Sequence, residues 1–264
     1  MGKDHLKRLA APKTWNVKRK GLKFITKPAP GPHSLESGMP LNVLLKEVLG
    51  YANTTKESKK ILKTNEIKID GKSRKDFRFP IGIFDTLEIA TTGTSAGESF
   101  RVVLNKKGKI DLIKIKKDEA ALKPCKIIGK TMVGGKAGRK LQLNLFDGKN
   151  ILVESNSSQR GLWNASDKTY KAGDTVLVSL PELKIVKHLK LAKRAAIFLT
   201  GGKHIGEIGV IDDLVEGKVI YKDNKGNLIE TSKEYAFVVG DNKPAIQLNK
   251  DHLSKDESNE EHQN

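Results

Sequence analysis

Cysteine, aromatic residues and long apolar runs are scarce in this chain of 264 residues. The single cysteine, Cys125, cannot form an internal disulfide, which favours a reducing compartment. No apolar run approaches the roughly 18 residues that a membrane-spanning helix needs. The N-terminus also lacks the apolar region of a signal peptide. The sequence therefore predicts a cytosolic or nuclear protein without a disulfide framework or a membrane span.

Sets of residues that could bind a metal or perform catalysis are also missing. The histidines share no ligand spacing, which argues against a metal site; they are His5, His33, His188, His204, His252 and His262. The glycines at 201–206 have the gap of a phosphate-binding loop, but Glu207 takes the position that needs lysine. Asp212 and Asp213 are neighbours on a predicted strand and should point to opposite faces. We expect no catalytic residue, no cofactor, no metal and no enzymatic activity.

Positive charge is abundant. The net charge is +18, with 49 Lys and Arg against 31 Asp and Glu, and 41 of the basic residues are lysines. Lysine favours contacts to phosphate over the bidentate reading of base edges. Nucleic acid is the predicted partner, and an anionic membrane surface is the competing one.

The basic N-terminal segment, residues 1–27, has nine Lys or Arg residues and one acidic residue, Asp4. Trp15 and Phe24 lie within it, and bases can stack on such side chains. The segment therefore predicts an arm that is disordered until nucleic acid neutralises it. Trp15 could instead belong to the core of a small fold, but the lack of periodic apolar neighbours favours the first reading.

A Pro-, Gly- and Ser-rich linker at 28–40 precedes two predicted helices. Leu41, Leu44 and Leu45 begin an apolar face that Gly50 ends. Thr54 and Glu57 have capping-box spacing before a helix over 56–63, whose lysines could be either a solvated face or a binding face. Asp70-Gly71 then predicts a hairpin turn next to a cluster of close positive charges, which repel unless a partner neutralises them. That cluster consists of Lys72, Arg74, Lys75 and Arg78.

From Phe100 onward the pattern is that of short strands separated by Gly-containing turns, which is typical of small barrels or sandwiches. Cys125 lies in an apolar stretch and is predicted to be a packed core thiol. The last segment, residues 251–264, is polar and acidic, and we expect disorder there. The fold class is therefore α+β and mostly β.

Four motifs, in this order, resemble the eukaryotic and archaeal small-subunit ribosomal proteins of the S-four-e type. HLKRLAAPKTW at 5–15 resembles their N-terminal signature, and IKIDGKSR at 67–74 resembles the hairpin of the S-four RNA-binding module. LTGGKHIGEIGVI at 199–211 resembles a KOW element, and NKP at 242–244 resembles a late landmark. The longer segment at 91–97, the less basic turn at 147–150, Ala245 and the acidic tail depart from the family pattern.

The resemblance implies a series of modules. They are a basic extension and linker (1–40), a helix–helix–hairpin RNA-binding module (41–104), a central β domain (105–176), an SH3-like KOW barrel (177–215), a C-terminal β segment (216–250) and an acidic disordered tail (251–264). It also implies a structural role on small-subunit (40S) rRNA, in translation and subunit assembly, beside neighbouring ribosomal proteins. No membrane, no small-molecule substrate and no homo-oligomer is expected, and the location is the cytoplasmic ribosome after nucleolar assembly.

The rRNA-binding residues predicted from the basic clusters and the resemblance lie in the first 78 residues. They are Lys7, Arg8, Lys13, Trp15, Lys18, Arg19, Lys20, Lys23, Lys59, Lys60, Lys72, Arg74, Lys75 and Arg78. Two other functions stay open. The chain could be an RNA-modifying enzyme that carries the hairpin module for targeting, or a transcription-elongation factor built on the KOW barrel.

Overall fold

Antiparallel strands are the main regular elements of the computed structural model, which describes residues 5–64, 66–90, 97–135, 138–154, 169–223 and 225–248. These residues divide into two units. The first takes in Met1–Leu122 and Pro244–Asn264, and the second takes in Lys123–Lys243. The predicted class, mostly β with few helices, is confirmed.

The N-terminal segment folds back on itself at the start of the first unit. Strand β1 (Leu6–Lys7) pairs with β2 (Phe24–Ile25), and a 3-10 turn (Arg8–Ala10) follows β1. Further on, β3 (Gly38–Pro40) pairs with β6 (Pro80–Gly82). The predicted disorder of the segment was therefore wrong for its described residues, because backbone pairing holds both of its ends.

The two predicted helices follow β3. Helix α1 (Leu41–Val43) continues as a π-helix (Leu44–Val48), and Gly50, with φ +70°, follows its end. Helix α2 spans Thr55–Thr64. Its capping box is confirmed, since Glu57 N donates to Thr54 Oγ1 at 3.2 Å and Thr54 N donates to Glu57 Oε2 at 3.4 Å.

A five-stranded antiparallel sheet completes the first unit in the order β5-β4-β7-β8-β9. Its strands are β4 (Glu66–Ile69), β5 (Lys72–Ser73), β7 (Thr86–Ala90), β8 (Glu98–Leu104) and β9 (Ile110–Ile115), and a short helix α3 (Lys117–Ala120) follows. Alternate residues such as Ile67, Ile69 and Leu87 are buried, as the period-two pattern predicts.

The second unit begins with another five-stranded sheet, in the order β12-β11-β10-β13-β14. Its strands are β10 (Leu122–Gly135), β11 (Gly138–Leu145), β12 (Asn150–Glu154), β13 (Thr175–Ser179) and β14 (Lys184–Leu189). Cys125 packs in its core with Ile127 and Leu143, which confirms the predicted core thiol.

A second sheet follows in the order β18-β17-β16-β15-β19. Its strands are β15 (Ala195–Leu199), β16 (Ile208–Val215), β17 (Lys218–Asp223), β18 (Leu228–Ser232) and β19 (Ala236–Asp241). The boundary drawn at 177 falls inside β13, and the boundary at 215 falls at the end of β16. Long-range pairing explains the difference, because β13 joins β10 and β19 joins β15.

The turn at 147–150 is organised by a buried carboxylate, which explains why it is less basic than the resemblance implies. Asp147 is 2% exposed and lies 3.0 Å from the Nζ atoms of both Lys123 and Lys149. Burial raises the pKa of the Asp147 carboxyl, but the two ammonium groups outweigh it and hold that pKa below its ordinary value. The acidic tail, and residues 91–96 of the longer segment, lie outside the described residues.

Candidate nucleic-acid interface

The basic hairpin of the first unit is built on the predicted Asp70-Gly71 turn. Both residues have positive φ, +51° and +72°, as a two-residue turn between antiparallel strands requires. Asp70 Oδ1 accepts a hydrogen bond from the backbone N of Thr86 at 3.2 Å, which ties the turn to β7. Lys72 and Lys75 follow the turn and are exposed, so their ammonium groups are available to a partner.

Helix α2 presents its lysines next to the segment that follows the hairpin. Lys56, Lys59, Lys60 and Lys63 are all exposed, while Leu62 is buried. The Lys59 Nζ lies 4.4 Å from the ring centroid of Phe77, a cation–π distance. This contact joins the helix to the 72–78 cluster, so two basic stretches that are separate in sequence form one surface.

The arginines of the cluster are partly committed to the protein itself. The guanidinium of Arg74 lies 4.5 Å from the ring of Phe79, and its backbone N donates to Ile67 O at 2.9 Å. The backbone O of Arg78 accepts from Ala29 N at 2.8 Å, and its side chain reaches Lys27 O at 3.4 Å. The side chains of Arg74 and Arg78 are both half-buried. Through its bond to Lys27 O, Arg78 links the cluster to the end of the N-terminal segment.

Trp15 lies inside the first unit and does not face solvent. Its exposed fraction is 1%, and the indole Nε1 donates to Gly38 O at 2.8 Å. The prediction that bases stack on Trp15 is wrong, because no face of the ring is accessible. Its hydrogen-bond partner lies 23 residues along the chain, so local periodicity could not reveal it.

Arg8 is the second predicted RNA ligand that is buried, with 5% exposure. Its guanidinium donates to Lys18 O at 2.6 Å and to Glu47 Oε1 at 2.5 Å. The guanidinium is buried and bound by acceptors of the protein, so phosphate cannot reach it and the assignment of Arg8 to rRNA is also wrong. Arg19 is half-buried and donates to the backbone oxygens of Leu9, Ala11 and Pro12.

The lysines of the N-terminal segment point outward instead. Those that the sequence assigns to rRNA are all exposed; they are Lys7, Lys13, Lys18, Lys20 and Lys23. In this segment Arg8 and Arg19 bond to the protein itself, while these five lysines supply exposed positive charge. A guanidinium can donate several fixed hydrogen bonds at once, which suits it to backbone carbonyls, while an ammonium on a flexible stem suits phosphate.

The Gly-rich loop at 201–206 of the second unit serves packing. The ring of Tyr235 lies against Gly201, where an added Cβ would meet the ring atoms at less than contact distance. The Thr200 N also donates to Tyr235 O at 3.0 Å. This confirms the interpretation of these glycines as close backbone approaches.

The neighbouring carboxylates of Asp212 and Asp213 bind different lysines. Asp212 pairs with Lys222, and Asp213 pairs with Lys193.

Lys126 is a charged residue that no pattern in the sequence singles out. Its Nζ donates to the backbone oxygens of Glu234 and Ala236, both at 2.8 Å. Burial lowers the pKa of this ammonium to about 8. Lys126 therefore fixes the loop before β19, and its ammonium is bound by acceptors of the protein.

Neither a metal cluster nor a membrane span is found in the described part of the chain. Its His, Cys, Asp and Glu residues form no group of three that could hold a metal ion. None of its helices has the length and apolar character needed to cross a bilayer.

Two family models match this sequence. The RS4NT (NUC023) domain matches residues 1–36, and the Ribosomal family S4e matches residues 96–185.

Known proteins match over nearly the whole chain. Small ribosomal subunit protein eS4 of Methanococcus aeolicus is 40% identical over 252 residues, which cover 93% of this chain and 98% of that protein. The eS4 protein of Aeropyrum pernix is 37% identical over 253 residues, covering 94% of this chain and 96% of that protein. The crystal structure of the 30S ribosomal protein S4e from Thermoplasma acidophilum has a TM-score of 0.61 and 26% identity, covering 81% of this chain and 99% of that one.

Proposed function

This chain belongs to the ribosomal family S4e and is a structural constituent of the small ribosomal subunit, and we propose that it binds small-subunit rRNA through the lysines of its first unit. The family is rRNA-binding and acts in translation, and this chain is not an enzyme. The observation that carries the residue-level proposal is the outward placement of lysines on α2, on the hairpin and on the N-terminal segment.

The proposed phosphate ligands are exposed lysines, assisted by half-buried arginines at the edge of the cluster. They are Lys7, Lys13, Lys18, Lys20, Lys23, Lys59, Lys60, Lys72 and Lys75, with Arg19, Arg74 and Arg78 at the edge. Arg8 and Trp15 are not among them, because both are buried. Ammonium groups on phosphates release counterions, so binding weakens steeply as salt rises.

The N-terminal segment presents these lysines from a folded base. Arg8 and Trp15 anchor it to residues 47 and 38, and the backbone N of Ile110 donates to Thr14 O at 2.7 Å. A preordered segment has less conformational entropy to lose on binding than a disordered arm. The mechanism is therefore docking of a formed basic surface onto RNA shape and phosphates.

We also propose which elements of the fold form the RNA-binding module and the KOW barrel that the family resemblance implies. Helices α1 and α2 with the β4–β5 hairpin make up the S-four-type RNA-binding module, within residues 41–104. The sheet β15–β19 is the KOW-type SH3-like barrel. The turn between β15 and β16 carries the motif LTGGKHIGEIGVI, which supports the second assignment.

Ribosomal RNA and neighbouring ribosomal proteins are the expected partners, and the protein is associated with cytoplasmic ribosomes. We propose that it joins the subunit during assembly, in the nucleolus where the cell has one. As a subunit constituent it has one copy per particle and is not a homo-oligomer.

Co-sedimentation tests this function against the two alternatives. Tagged protein in a lysate is sedimented through a sucrose gradient at near-physiological salt. A structural constituent follows mature small subunits in a one-to-one ratio with an established subunit protein. An RNA-modifying enzyme would follow only immature particles, and an elongation factor would follow RNA polymerase; either result would contradict the proposal.

A further inference from the structure

A cavity of about 280 Å³ lies in the first unit, where the N-terminal segment meets the helices. Residues 22–26 form one side, and residues on α1, the π-helix and the start of α2 form the other. None of the rRNA-binding residues proposed above lies on its wall. Its size is just below the range of about 300–1,000 Å³ typical of sites for drug-sized ligands, so it suits one small planar group.

The wall of the cavity carries acceptors as well as donors. The carboxylate of Glu47 uses Oε1 to bind Arg8 and lines the cavity. Asn42, at 2% exposure, donates from Nδ2 to Thr26 Oγ1 at 2.6 Å, while its Oδ1 has no partner there. Lys46 and the hydroxyl of Thr55 add donors. A polar ligand with both donors and acceptors would satisfy this wall.

A phosphate does not fit that description. It could bind the Lys46 ammonium, but it is an acceptor with negative charge, so it would leave the acceptor Asn42 Oδ1 without a donor and the Glu47 carboxylate would repel it. The Watson–Crick edge of a nucleobase, in contrast, carries N–H donors beside ring or carbonyl acceptors, so one base could bind the carboxylate and the hydroxyls together.

The mouth of the cavity is aromatic and cationic. Phe24 is 48% exposed and Leu22 is 65% exposed, although both line the cavity. The Lys23 Nζ lies 5.5 Å from the Phe24 ring centroid, and the ring of His5 meets Phe24 edge-on at 5.3 Å. An exposed ring held in place beside a cation is a surface on which an unstacked base can lie.

We propose that this cavity takes one unstacked nucleobase of the small-subunit rRNA. The base stacks on Phe24 and places its polar edge toward Glu47 and Thr55, while the exposed lysines nearby hold its backbone. This inference rests on the proposed rRNA-binding function. It adds a site for a single base to the lysines, which contact only phosphate.

Two variants of the full-length chain test the site. Phe24→Leu removes the aromatic face but keeps apolar bulk, and Tyr51→Leu is the matched control, because Tyr51 is similarly exposed at 43%, lies in the same unit and does not line the cavity. The probe is a full-length small-subunit rRNA transcript. We expect Phe24→Leu to weaken binding about fivefold to tenfold, toward the low end of what stacking of one base contributes. The slope of affinity against salt should stay unchanged, since no phosphate contact is lost.

The position of the base is read separately, by ultraviolet cross-linking of the wild-type complex followed by mass spectrometry. The expected result is a nucleotide adduct on Phe24 or its immediate peptide, absent from Phe24→Leu. If wild-type protein binds the transcript but Phe24→Leu matches Tyr51→Leu and no adduct forms near Phe24, the base site is wrong and the lysine surface stands. If wild-type protein shows no salt-dependent binding, both proposals fail together.

Discussion

The indole Nε1 of Trp15 donates a hydrogen bond of 2.8 Å to the backbone oxygen of Gly38, so a residue of the basic segment is part of the core. Trp15→Ala should destabilise the first unit by about 3–5 kcal/mol, as large-to-small changes of buried aromatics do. Hydrogen exchange of β8 amides reports the first unit, and exchange of β17 amides reports the second as an internal control. Faster exchange in β8 alone is expected.

The same finding makes a prediction about RNA. Trp15→Phe keeps most of the buried volume and should leave rRNA affinity within about twofold of wild type, because a buried ring cannot stack on a base. A filter-binding titration measures this. A large loss of affinity by a folded Trp15→Phe protein would show that the ring reaches RNA after all.

Deletion of residues 1–27 should damage folding as well as binding. The deletion removes Trp15, and it removes Arg8, which leaves the half-buried carboxylate of Glu47 without its ion pair. Circular dichroism and limited proteolysis should show a loosened first unit beside a second unit that stays resistant. If the truncated protein kept an intact first unit, folding would not need the segment and this prediction would be wrong.

Asp147 and Lys123 form a buried ion pair in the second unit, 2% and 1% exposed. Asp147→Asn should cost about 3–5 kcal/mol at neutral pH, since it removes the carboxylate that the buried Lys123 ammonium binds at 3.0 Å. Asp212→Asn breaks an exposed pair with Lys222 and is the control, with little expected change. Urea unfolding of both variants measures the difference.

The pH dependence of that difference has a definite sign. The pKa of the Asp147 carboxyl is below its ordinary value of 3.8 in the folded state, so the unfolded state binds its proton first as pH falls. The advantage of wild type over Asp147→Asn should therefore be complete well above pH 4 and shrink as pH falls below it. An advantage that grew on acidification would contradict the ion pair.

Gly201 and Tyr235 should be coupled energetically. An added methyl at Gly201 would press on the Tyr235 ring, so Gly201→Ala should destabilise the protein by about 1–3 kcal/mol. In the double variant with Tyr235→Ala the methyl meets no ring, and the combined cost should be smaller than the sum of the two single costs. Additive costs in urea unfolding would mean that the loop moves aside.

Structure that depends on neighbouring residues could be predicted from the sequence. The Thr54–Glu57 capping box and the Asp70-Gly71 turn depend on residues within a few positions of each other, and the structure confirms both. The exposed lysines of α2 followed from helical spacing alone.

What the sequence could not reveal depended on distant partners. Arg8 is paired with Glu47, 39 residues away, and no pattern within the basic segment distinguishes it from Lys7. The pairing of β13 with β10 likewise crosses a long stretch of chain, so the module boundary that the resemblance implies at 177 fell inside a strand. Phe24 was recognised as an aromatic in a basic segment, but the cavity beside it exists only once α1 packs there.

The salt dependence of rRNA binding tests the central claim, that exposed lysines of the first unit bind phosphates. Affinities for a small-subunit rRNA transcript are measured from low to moderate salt for wild type, for the double variant Lys72→Gln/Lys75→Gln, and for Lys218→Gln, an exposed lysine of the second unit paired with Glu230. The slope of log affinity against log salt should be steep for wild type and smaller in magnitude by about 1.4–1.8 in the double variant, since each phosphate contact contributes about 0.7–0.9. Lys218→Gln should match wild type. A nearly flat slope for wild type, or an unchanged slope in the double variant, would contradict the account.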